Sequence, residues 1–346
     1  MKRNTIHTGD ATETLQELPS ESVNMVMTSP PYWNLRDYGV DGQLGREETA
    51  GAFVQNLADV FDEVKRVLRP DGSLWLNLGD TYDDKDLQQI PARVALELQN
   101  RGWILRNRVT WTKPNAMPQS VKDRLNDTTE AVFHFVKNRE YWYDLDAIRE
   151  GYSEWTKNMN PEWNVSNSKY SVEDSPRSSN RGGVDDPEKS RIDFVNPAGK
   201  NPGDVFEVTT KPFPEAHFAI YPPELVEKPL KATCPPEVCA ECGSPYKHNT
   251  LPDPETTPDP SIPWKQTCDC DTDATEAGVA LDPFAGAGTT CVVAKEHGRK
   301  FIGIELNPEY ADMARARIGL SPHDPSNVRD DEDQSGLEAY ADGGKP

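Results

Sequence analysis

The sequence predicts an α/β protein built on a doubly wound, mostly parallel sheet, and three observations support this prediction. Short apolar runs that read as buried strands alternate with stretches of helical spacing. Two distinctive loops, residues 28–32 and 282–290, directly follow such strands. The chain has 346 residues, enough for one large α/β domain with insertions. Open α/β sheets bind ligands outside the carboxyl ends of their strands, so both loops are candidate binding elements.

The predicted elements follow one another in the order that such a sheet requires. Helical spacing is clearest over residues 53–68, where apolar side chains recur every three or four positions before Arg69-Pro-Asp-Gly72 forms a turn. The other predicted helices cover residues 11–18, 90–100 and 289–297. The predicted strands cover residues 5–8, 23–27, 73–78, 103–111, 131–137, 279–281 and 301–305.

Two stretches interrupt the alternation. Residues 151–203 are rich in Ser, Asn, Pro, Gly and charge, so their composition predicts a linker or a disordered insertion, and a recognition region is what the resemblance described below implies. Scattered aromatic residues favour recognition, and the candidates for stacking or wedge roles are Tyr152, Trp155, Trp163 and Tyr170. Residues 321–346 contain an acidic run and few apolar side chains, which predicts a disordered tail.

The charge balance is strongly acidic, with a formal net charge of −21. Phosphate contacts normally supply much of the affinity of a DNA-binding protein, so the distribution of charge matters. Residues 93–149 are a positive stretch, with ten basic against seven acidic residues. These charges are either solvated surface groups or a strip that faces phosphates. The acidic excess also suggests a salt-rich cytoplasm, where screening shortens electrostatic reach.

The sequence also bounds the cellular setting. It has no apolar run of about 18 residues and no apolar signal core, which predicts a cytoplasmic protein without a membrane partner. Six cysteines are too few for a disulfide scaffold in a chain of this length.

The two loops together resemble the S-adenosylmethionine-dependent DNA methyltransferases that act on exocyclic amino groups. Thr28-Ser-Pro-Pro-Tyr32 resembles the catalytic loop, and Asp282-Pro-Phe-Ala-Gly-Ala-Gly-Thr-Thr290 the methionine-binding loop. The catalytic loop comes first here, which resembles the circularly permuted beta group and implies a class I methyltransferase sheet. The resemblance implies a catalytic half over 1–150, a target-recognition insertion over 151–203, and a cofactor-binding half over 204–233 and 278–320.

The first loop suits methyl transfer to an amino nitrogen. An exocyclic amine is a weak nucleophile because its lone pair is delocalised into the ring, so acceptors must draw its hydrogens. The Ser29 hydroxyl and the Pro30 carbonyl can do this, Pro31 keeps the loop rigid, and Tyr32 offers a stacking face for a flipped base. A strand-ending turn with a packed tyrosine is the structural alternative. Ring-carbon methylation would need a Pro-Cys nucleophile, which the sequence lacks.

The second loop and its surroundings supply the candidate cofactor residues. The loop has neither the Lys-Ser/Thr of a phosphate-binding loop nor the spacing of a dinucleotide fingerprint. Glu305 ends a predicted strand, where a carboxylate can accept from both ribose hydroxyls. The resemblance places Asp282 near the methionine end and lets Asp10 read the adenine amine. It implies further contacts from Phe218, Phe284, Gly286, Gly288 and Thr289, and for each carboxylate simple solvation is the alternative.

A third segment, Lys113-Pro-Asn-Ala-Met-Pro-Gln-Ser120 with Arg124, resembles the family segment that lines the target pocket. Its prolines cannot continue the preceding strand, so we expect a loop near the DNA. The candidate DNA contacts are Arg108, Lys113, Lys122 and Arg124.

A cysteine-rich insertion, residues 234–277, has no counterpart in the family pattern. Cys239 and Cys242 have the knuckle spacing of zinc ribbons, whereas Cys268 and Cys270 are spaced more tightly. We expect these four to hold one structural zinc in a surface module beside the active site. Cys234 and His248 are alternative ligands, and four unrelated thiols are the alternative to a metal site.

The leading interpretation is a methyltransferase that acts on the N4 amine of cytosine in double-stranded DNA. Ser before Pro-Pro-Tyr is typical of the N4 members of the family, and the N6 amine of adenine is the alternative. A methylase of the palindrome CTAG from a halophile is a candidate match, and a cognate restriction endonuclease is a candidate partner. Methylation of RNA or of a protein glutamine, and a non-catalytic zinc-containing DNA-binding protein, are more distant alternatives. The recognition sequence and the oligomeric state do not follow from the sequence.

Overall fold

An eight-stranded sheet forms the centre of the computed structural model, which describes residues 2–37, 39–151, 199–210, 220–248 and 264–320. The strands of the sheet are β1 (Thr5–Thr8), β2 (Val23–Thr28), β3 (Leu68–Leu78), β6 (Ile104–Thr112), β7 (Thr129–Val136), β8 (Val205–Glu207), β13 (Val279–Asp282) and β14 (Lys300–Glu305). Three antiparallel pairs of short strands lie outside it: β4 (Tyr82–Asp83) with β5 (Asp86–Leu87), β9 (Val238–Cys239) with β12 (Thr275–Glu276), and β10 (Lys247–His248) with β11 (Trp264–Lys265).

The strand order across the sheet is β1, β14, β13, β2, β3, β7, β6, β8. The first five strands are parallel to one another, β7 is antiparallel to both of its neighbours, and β8 is parallel to β6. The predicted mostly parallel sheet is therefore confirmed. The last strands, β13 and β14, lie between β1 and β2. This order agrees with the predicted circular permutation, which stays a prediction.

Helices cover both faces of the sheet, so the fold is doubly wound. One face packs against α1 (Ala11–Gln16), α2 (Ala50–Val67) and α3 (Ile90–Asn100), with Phe53 and Phe61 fully buried. The other face packs against α4 (Pro223–Thr233), α5 (Thr289–Glu296) and α6 (Pro308–Ile318). The β2 side chains alternate between these cores because successive residues of a strand point to opposite faces, with Val26 in the first and Met25 and Met27 in the second.

The sequence pattern did not predict α4 or α6, and the reason lies in their composition. α4 begins at a Pro-Pro pair and carries Pro229 inside, and prolines normally argue against a helix. α6 buries Ala311 and Ala314, and these small side chains give only a weak apolar period. β3 also starts earlier than predicted. Val23 pairs with Leu68 and Met25 with Ser73, so the predicted turn at 69–72 forms an irregularity inside the strand.

Two edges of the sheet matter for function. The carboxyl edge is where β1, β2, β3, β13 and β14 end, at Thr8, Thr28, Leu78, Asp282 and Glu305; β7 begins there because it runs antiparallel. The amino edge is the opposite one, where β3 and β13 begin. Among the described residues, no helix is both long and apolar enough to span a membrane.

Candidate active site

A cavity of about 660 Å³ opens at the carboxyl edge, and both motif loops line it. The first loop contributes Ser29, Pro30, Pro31 and Tyr32, and the second contributes Phe284, Gly286 and Thr289. Asp10 and Glu305 also line the cavity, from the ends of β1 and β14. The tertiary structure thus brings together two loops that are about 250 residues apart in sequence. Other lining residues include Asn77, Trp111, Lys113, Glu130, Thr210, Tyr221 and Tyr310.

The Ser29–Tyr32 loop leaves β2 at the centre of the sheet and is held by side-chain hydrogen bonds. Ser29 Oγ lies 3.2 Å from the Tyr32 hydroxyl. The Tyr32 ring packs against Gly79, where an added Cβ would come within 2.5 Å of the ring Cε2. Only glycine leaves room for the ring at this position. The loop is therefore fixed from both sides, as the proline pair predicts.

Glu130 organises the polar side of the cavity. Its Oε2 accepts hydrogen bonds from the Tyr32 hydroxyl at 2.7 Å and from Asn77 Nδ2 at 2.8 Å. Asn77 Nδ2 also lies 2.9 Å from the Tyr32 hydroxyl and 3.2 Å from Ser29 Oγ. Lys113 Nζ donates to Glu130 Oε1 and lies 4.5 Å from the centre of the Trp111 ring. Ser29, Tyr32, Asn77, Lys113 and Glu130 thus form one hydrogen-bonded network, called below the Glu130 network.

This network affects the ionisation of the tyrosine. Burial raises the pKa of the Tyr32 phenol well above its usual value, and the negative charge of Glu130 raises it further. The phenol therefore stays protonated at neutral pH, which allows its hydroxyl to donate to Glu130. Its ring is fixed through that hydroxyl, as well as through its packing on Gly79.

Glu305 ends β14 and is bound by backbone amides of both flanking loops. Its Oε2 accepts from Gly286 N at 2.8 Å, and its Oε1 accepts from Asn307 N at 2.8 Å. Burial raises the pKa of this carboxyl group above its usual value, whereas the two amide hydrogen bonds oppose that rise. Each carboxylate oxygen has a second acceptor site, so Glu305 can still accept hydrogen bonds from a ligand.

Two predicted cofactor residues lie behind the cavity wall and do not line it. Asp282 is fully buried and accepts from Thr28 Oγ1 at 2.6 Å, from the Tyr221 hydroxyl at 2.7 Å and from Phe284 N at 3.1 Å. Burial raises the pKa of this carboxyl group, while the Thr28 and Tyr221 hydrogen bonds lower it. In this geometry Asp282 positions both loops. Gly288 packs against α6, where an added Cβ would lie 3.0 Å from Ala314 Cβ.

The remaining cofactor predictions have different outcomes. The Asp10 side chain caps α1 by accepting from Glu13 N at 3.0 Å and borders the cavity. Thr289 Oγ1 accepts from Arg317 Nη1 at 2.9 Å. Phe218 lies outside the described residues, as do Tyr152, Trp155, Trp163 and Tyr170.

The four basic residues predicted to contact DNA do not share one environment. Lys113 lines the cavity and is bound to Glu130. Arg124 lies 4.0 Å from the centre of the Tyr82 ring and pairs with Asp127 at 2.7 Å. Arg108 on β6 and Lys122 in the β6–β7 connection are exposed. Arg108, Lys122 and Arg124 do not line the cavity.

The four predicted metal ligands meet as the sequence suggested. The sulfur atoms of Cys239, Cys242, Cys268 and Cys270 all lie within 4.8 Å of one another. A tetrahedral zinc with Zn–S bonds of about 2.3 Å needs sulfur atoms roughly 3.8 Å apart, so the four thiols fit such an ion. Cys234 does not belong to this group of sulfur atoms and lies in the core around α4. The His248 side chain lies outside the described residues.

The prediction that this cysteine module lies beside the active site is wrong. Arg69 Nη1 donates to Cys242 O at 3.3 Å, and Gly278 N donates to Pro235 O at 3.2 Å. Arg69 precedes the central part of β3 and Gly278 precedes β13, so the module lies at the amino edge. The insertion joins α4 to the start of β13, which places it at the opposite end of the strands from the 28–32 and 282–290 loops.

Sequence reasoning missed Asn77, Glu130 and Tyr221. Asn77 lies in the predicted strand 73–78, and Glu130 lies one residue before the predicted strand 131–137, so neither residue was predicted to have a role at the site. Glu130 reaches the cavity because β7 runs antiparallel, which puts its first residues at the carboxyl edge. The spacing of apolar residues in the sequence does not indicate that β7 runs antiparallel to its neighbours. Tyr221 has no distinguishing sequence pattern, and its hydroxyl donates to Asp282 at 2.7 Å.

Comparison with known proteins adds independent evidence. The family model for N6/N4-type enzymes, described as "DNA methylase", matches residues 23–316. The chain is 33% identical to the type II methyltransferase M.XycI of Xanthomonas campestris pv. cyanopsidis, over 92% of this chain and 88% of that protein. It is 34% identical to the type II methyltransferase M.Cfr9I of Citrobacter freundii, over 91% and 87%.

A solved structure agrees with the fold. The structure titled PvuII DNA methyltransferase (cytosine-N4-specific) superimposes with a TM-score of 0.56 and 19% identity, covering 92% of this chain and 86% of that one. Nothing in these comparisons bears on a CTAG site or on a halophilic source, and both stay predictions. The family model covers most of the chain, and its bounds include both loops of the cavity. The chain therefore belongs to the N6/N4 DNA methylase family.

Proposed function

We propose that this protein transfers a methyl group from S-adenosylmethionine to the N4 amine of a cytosine that is flipped out of double-stranded DNA. One observation carries the proposal: the Ser29–Tyr32 loop and the 282–290 loop line the same cavity, from neighbouring strands β2 and β13. A methyl donor on one loop and a target base on the other would therefore lie next to each other.

The cofactor side of the cavity fits an adenosyl group attached to an amino acid. Gly286 has φ of +52° and open space where a Cβ would project, so its backbone can approach a ligand closely. Glu305 has free acceptor sites for a ribose, and Asp10 borders the same wall. When bound, the sulfonium group supplies an activated methyl. We propose that Asp282, Gly288 and Thr289 shape the loop, while Asp10, Phe284, Gly286 and Glu305 contact the cofactor.

The target side fits an exocyclic amine. Ser29 Oγ and the Pro30 carbonyl can accept the two amine hydrogens, which favours a pyramidal nitrogen with an available lone pair. Pro31 limits the motion of the loop, and the Tyr32 ring can stack on the flipped base. The Glu130 network fixes the orientation of that ring. No cysteine lines the cavity among the residues that the structure describes, which agrees with direct transfer to nitrogen.

Cytosine is preferred over adenine because of the residue before Pro-Pro-Tyr. Ser29 stands where this residue type is typical of N4-cytosine members of the family. Lys113, which pairs with Glu130 in the same cavity, also suits cytosine, because an ammonium group can donate to the cytosine O2, an acceptor that adenine lacks. Adenine N6 is the alternative product, since it presents the same amine beside a ring nitrogen.

The cysteine module is proposed to bind one structural zinc through Cys239, Cys242, Cys268 and Cys270. Four thiolates complete a tetrahedral site and leave no open position for catalysis. The location of the module at the amino edge agrees with a role in ordering the insertion. Partners proposed for the whole enzyme are double-stranded DNA, read in part by residues 151–203, and a cognate restriction endonuclease.

The test is the chemical identity of the methylated nucleoside. DNA from cells that express the chain is hydrolysed and analysed by mass spectrometry, and methylation-sensitive sequencing locates the modified base. We expect N4-methylcytosine at one short sequence. A Ser29→Ala variant is the control and should give at least about tenfold less product, because a single transition-state hydrogen bond contributes on the order of a few kcal/mol. N6-methyladenine would establish the alternative target, and unmethylated DNA would support the non-catalytic alternative.

A further inference from the structure

The β6–β7 connection, residues 113–128, displays the most exposed large apolar side chains of the described residues. Leu125 is 90% exposed and Met117 is 85% exposed. Single exposed apolar residues are common on protein surfaces, so exposure by itself is not evidence of function. The further evidence is the position of Met117 and Leu125 in the fold and the hydrogen bonds of the loop that carries them.

The loop is ordered by its own polar side chains. Asn126 Oδ1 accepts from Gln119 N at 2.8 Å, and Asn126 Nδ2 donates to Met117 O at 3.3 Å. Gln119 Oε1 accepts from Asp127 N at 3.4 Å. These bonds tie the chain near Met117 to the chain near Leu125. The polar side chains are used to shape the backbone, while both apolar side chains are left in solvent.

The loop is joined to the wall of the catalytic cavity at both ends. Lys113 N donates to Thr128 O at 2.9 Å, which closes the base of the loop next to the Lys113–Glu130 pair. Asn115 Nδ2 donates to Thr210 O at 2.7 Å, and Thr210 N donates to Asn115 Oδ1 at 3.0 Å. Lys113, Glu130 and Thr210 all line the cavity. The two apolar side chains therefore belong to a hydrogen-bonded loop whose base is part of the cavity wall.

Positive groups accompany the apolar pair. Lys122 is exposed, and Arg124 lies between Tyr82 and Asp127. Lys85 pairs with the exposed Asp123 at 2.6 Å, which offsets one acidic charge of the loop. Apolar side chains beside the exposed Lys122 fit the chemistry of DNA, because phosphates surround the apolar faces of stacked bases.

We propose that Leu125 and Met117 form an apolar wedge that enters the base stack of duplex DNA and occupies the gap left by the flipped base. This inference rests on the proposed function. Flipping removes the stacking partners of the neighbouring bases and the pairing partner of the opposite base. Inserted apolar side chains restore part of that contact and prevent the base from returning. The wedge stabilises the open duplex and takes no part in the methyl transfer itself.

The experiment compares two DNA duplexes that carry the sequence identified by methylation sequencing. In one the target base is fully paired, and in the other an abasic site lies opposite the target, so flipping is already easy. For the double variant Leu125→Ala with Met117→Ala, we expect methylation of the paired duplex to slow by at least about tenfold, because the cost of opening is no longer offset. The abasic duplex should be methylated within about twofold of the wild-type rate.

The matched control is Leu96→Ala, since Leu96 is 61% exposed on α3 and does not line the cavity. Its rates on both duplexes should equal those of the wild type. S-adenosylmethionine affinity of the double variant should also be unchanged, which reports that its fold is intact.

The possible outcomes distinguish a failure of the wedge hypothesis from a failure of the proposed function. Wild-type speed of the double variant on the paired duplex, or an equal loss on both duplexes, overturns the wedge while the methyltransferase assignment stands. A wild-type chain that methylates neither duplex refutes the proposed function itself. A shift of oligomeric state in the double variant without a change in the paired-duplex rate would assign the apolar pair to a protein contact and also overturn the wedge.

Discussion

At the scale of single residues, the Ser29–Tyr32 loop is hydrogen-bonded to a carboxylate that lies 98 positions away in sequence. Glu130 contacts the Tyr32 hydroxyl directly and Ser29 through Asn77. Its contacts do not place it on the reacting atoms, so we regard it as a positioning residue. The orientation of the Tyr32 ring, and through it the stacking of the base, is the property that it controls.

Substitutions at Tyr32 and Glu130 test this role. Tyr32→Ala should remove the stacking face, worth about 1–3 kcal/mol per base, and lower activity while sparing cofactor binding. Tyr32→Phe keeps the face and loses only the hydroxyl contacts. If Glu130 acts through that hydroxyl, Tyr32→Phe and Glu130→Gln should each lower kcat, and the double variant should be no slower than the slower single one. Single-turnover rates on a duplex with the target site supply the measurement; additive losses would show that Glu130 acts independently of Tyr32.

A substitution at Glu305 tests the proposed cofactor side of the cavity. Glu305→Ala removes a carboxylate placed to accept from ribose hydroxyls, and charge-assisted hydrogen bonds are worth about 1.5–3 kcal/mol each. We expect S-adenosylmethionine affinity to fall by at least about tenfold in calorimetry. The control is Glu309→Ala, since Glu309 is exposed at the start of α6 and does not line the cavity. Unchanged affinity in Glu305→Ala would disprove the ribose role.

At the scale of elements, the cysteine module contacts two separate chain segments at the amino edge of the sheet, through Arg69 and Trp142. Trp142, which follows β7, donates from Nε1 to Tyr246 O at 2.9 Å and stacks near Trp264 with ring centres 6.5 Å apart. Trp142 N also donates to Asp71 O at 2.9 Å. The module therefore connects the chain after β7 with the chain that leads into the central part of β3. An insertion this polar has little apolar area of its own to bury, so a metal can supply the missing stability.

Removal of the metal should lower the stability of the protein without changing its affinity for the cofactor. Protein purified under reducing conditions should contain about one zinc per chain. Chelation, or Cys268→Ser, should lower the melting temperature and leave S-adenosylmethionine affinity unchanged, because the site is at the opposite edge from the cavity. Cys234→Ser provides the comparison and should keep its zinc. Metal-free wild-type protein, or zinc lost from Cys234→Ser but retained in Cys268→Ser, would contradict this ligand set.

At the scale of the whole molecule, the sheet separates chemistry from structural support. The carboxyl edge carries the Glu130 network, Glu305 and the β6–β7 connection, whereas the amino edge carries the cysteine module. The chain has a net charge of −21, yet the connection beside the cavity supplies Lys113, Lys122 and Arg124. If the duplex approaches this connection as proposed, the exposed Lys122 would offset part of the acidic charge of the chain there, whereas Lys113 and Arg124 are paired with Glu130 and Asp127.

The sequence by itself determined the parts of this protein that local chemistry controls. A proline pair after a buried strand predicts a rigid loop, Gly286 predicts close backbone approach at the cavity, and the cysteine spacing predicts a thiol cluster. These features depend on φ restriction, side-chain size and ligand type, all of which are properties of neighbouring residues. The alternation of strands and helices predicted the sheet for the same reason.

Only the tertiary structure decided which distant residues share an environment. The antiparallel direction of β7 carries Glu130 to the carboxyl edge, and the path of the insertion carries the four cysteines to the amino edge, contrary to our expectation from sequence. Asp282, predicted as a cofactor contact, does not line the cavity. Its carboxylate lies in the core and accepts hydrogen bonds from Thr28 and Tyr221. Strand direction and strand order follow from packing across the whole sheet, and no window of sequence contains that information.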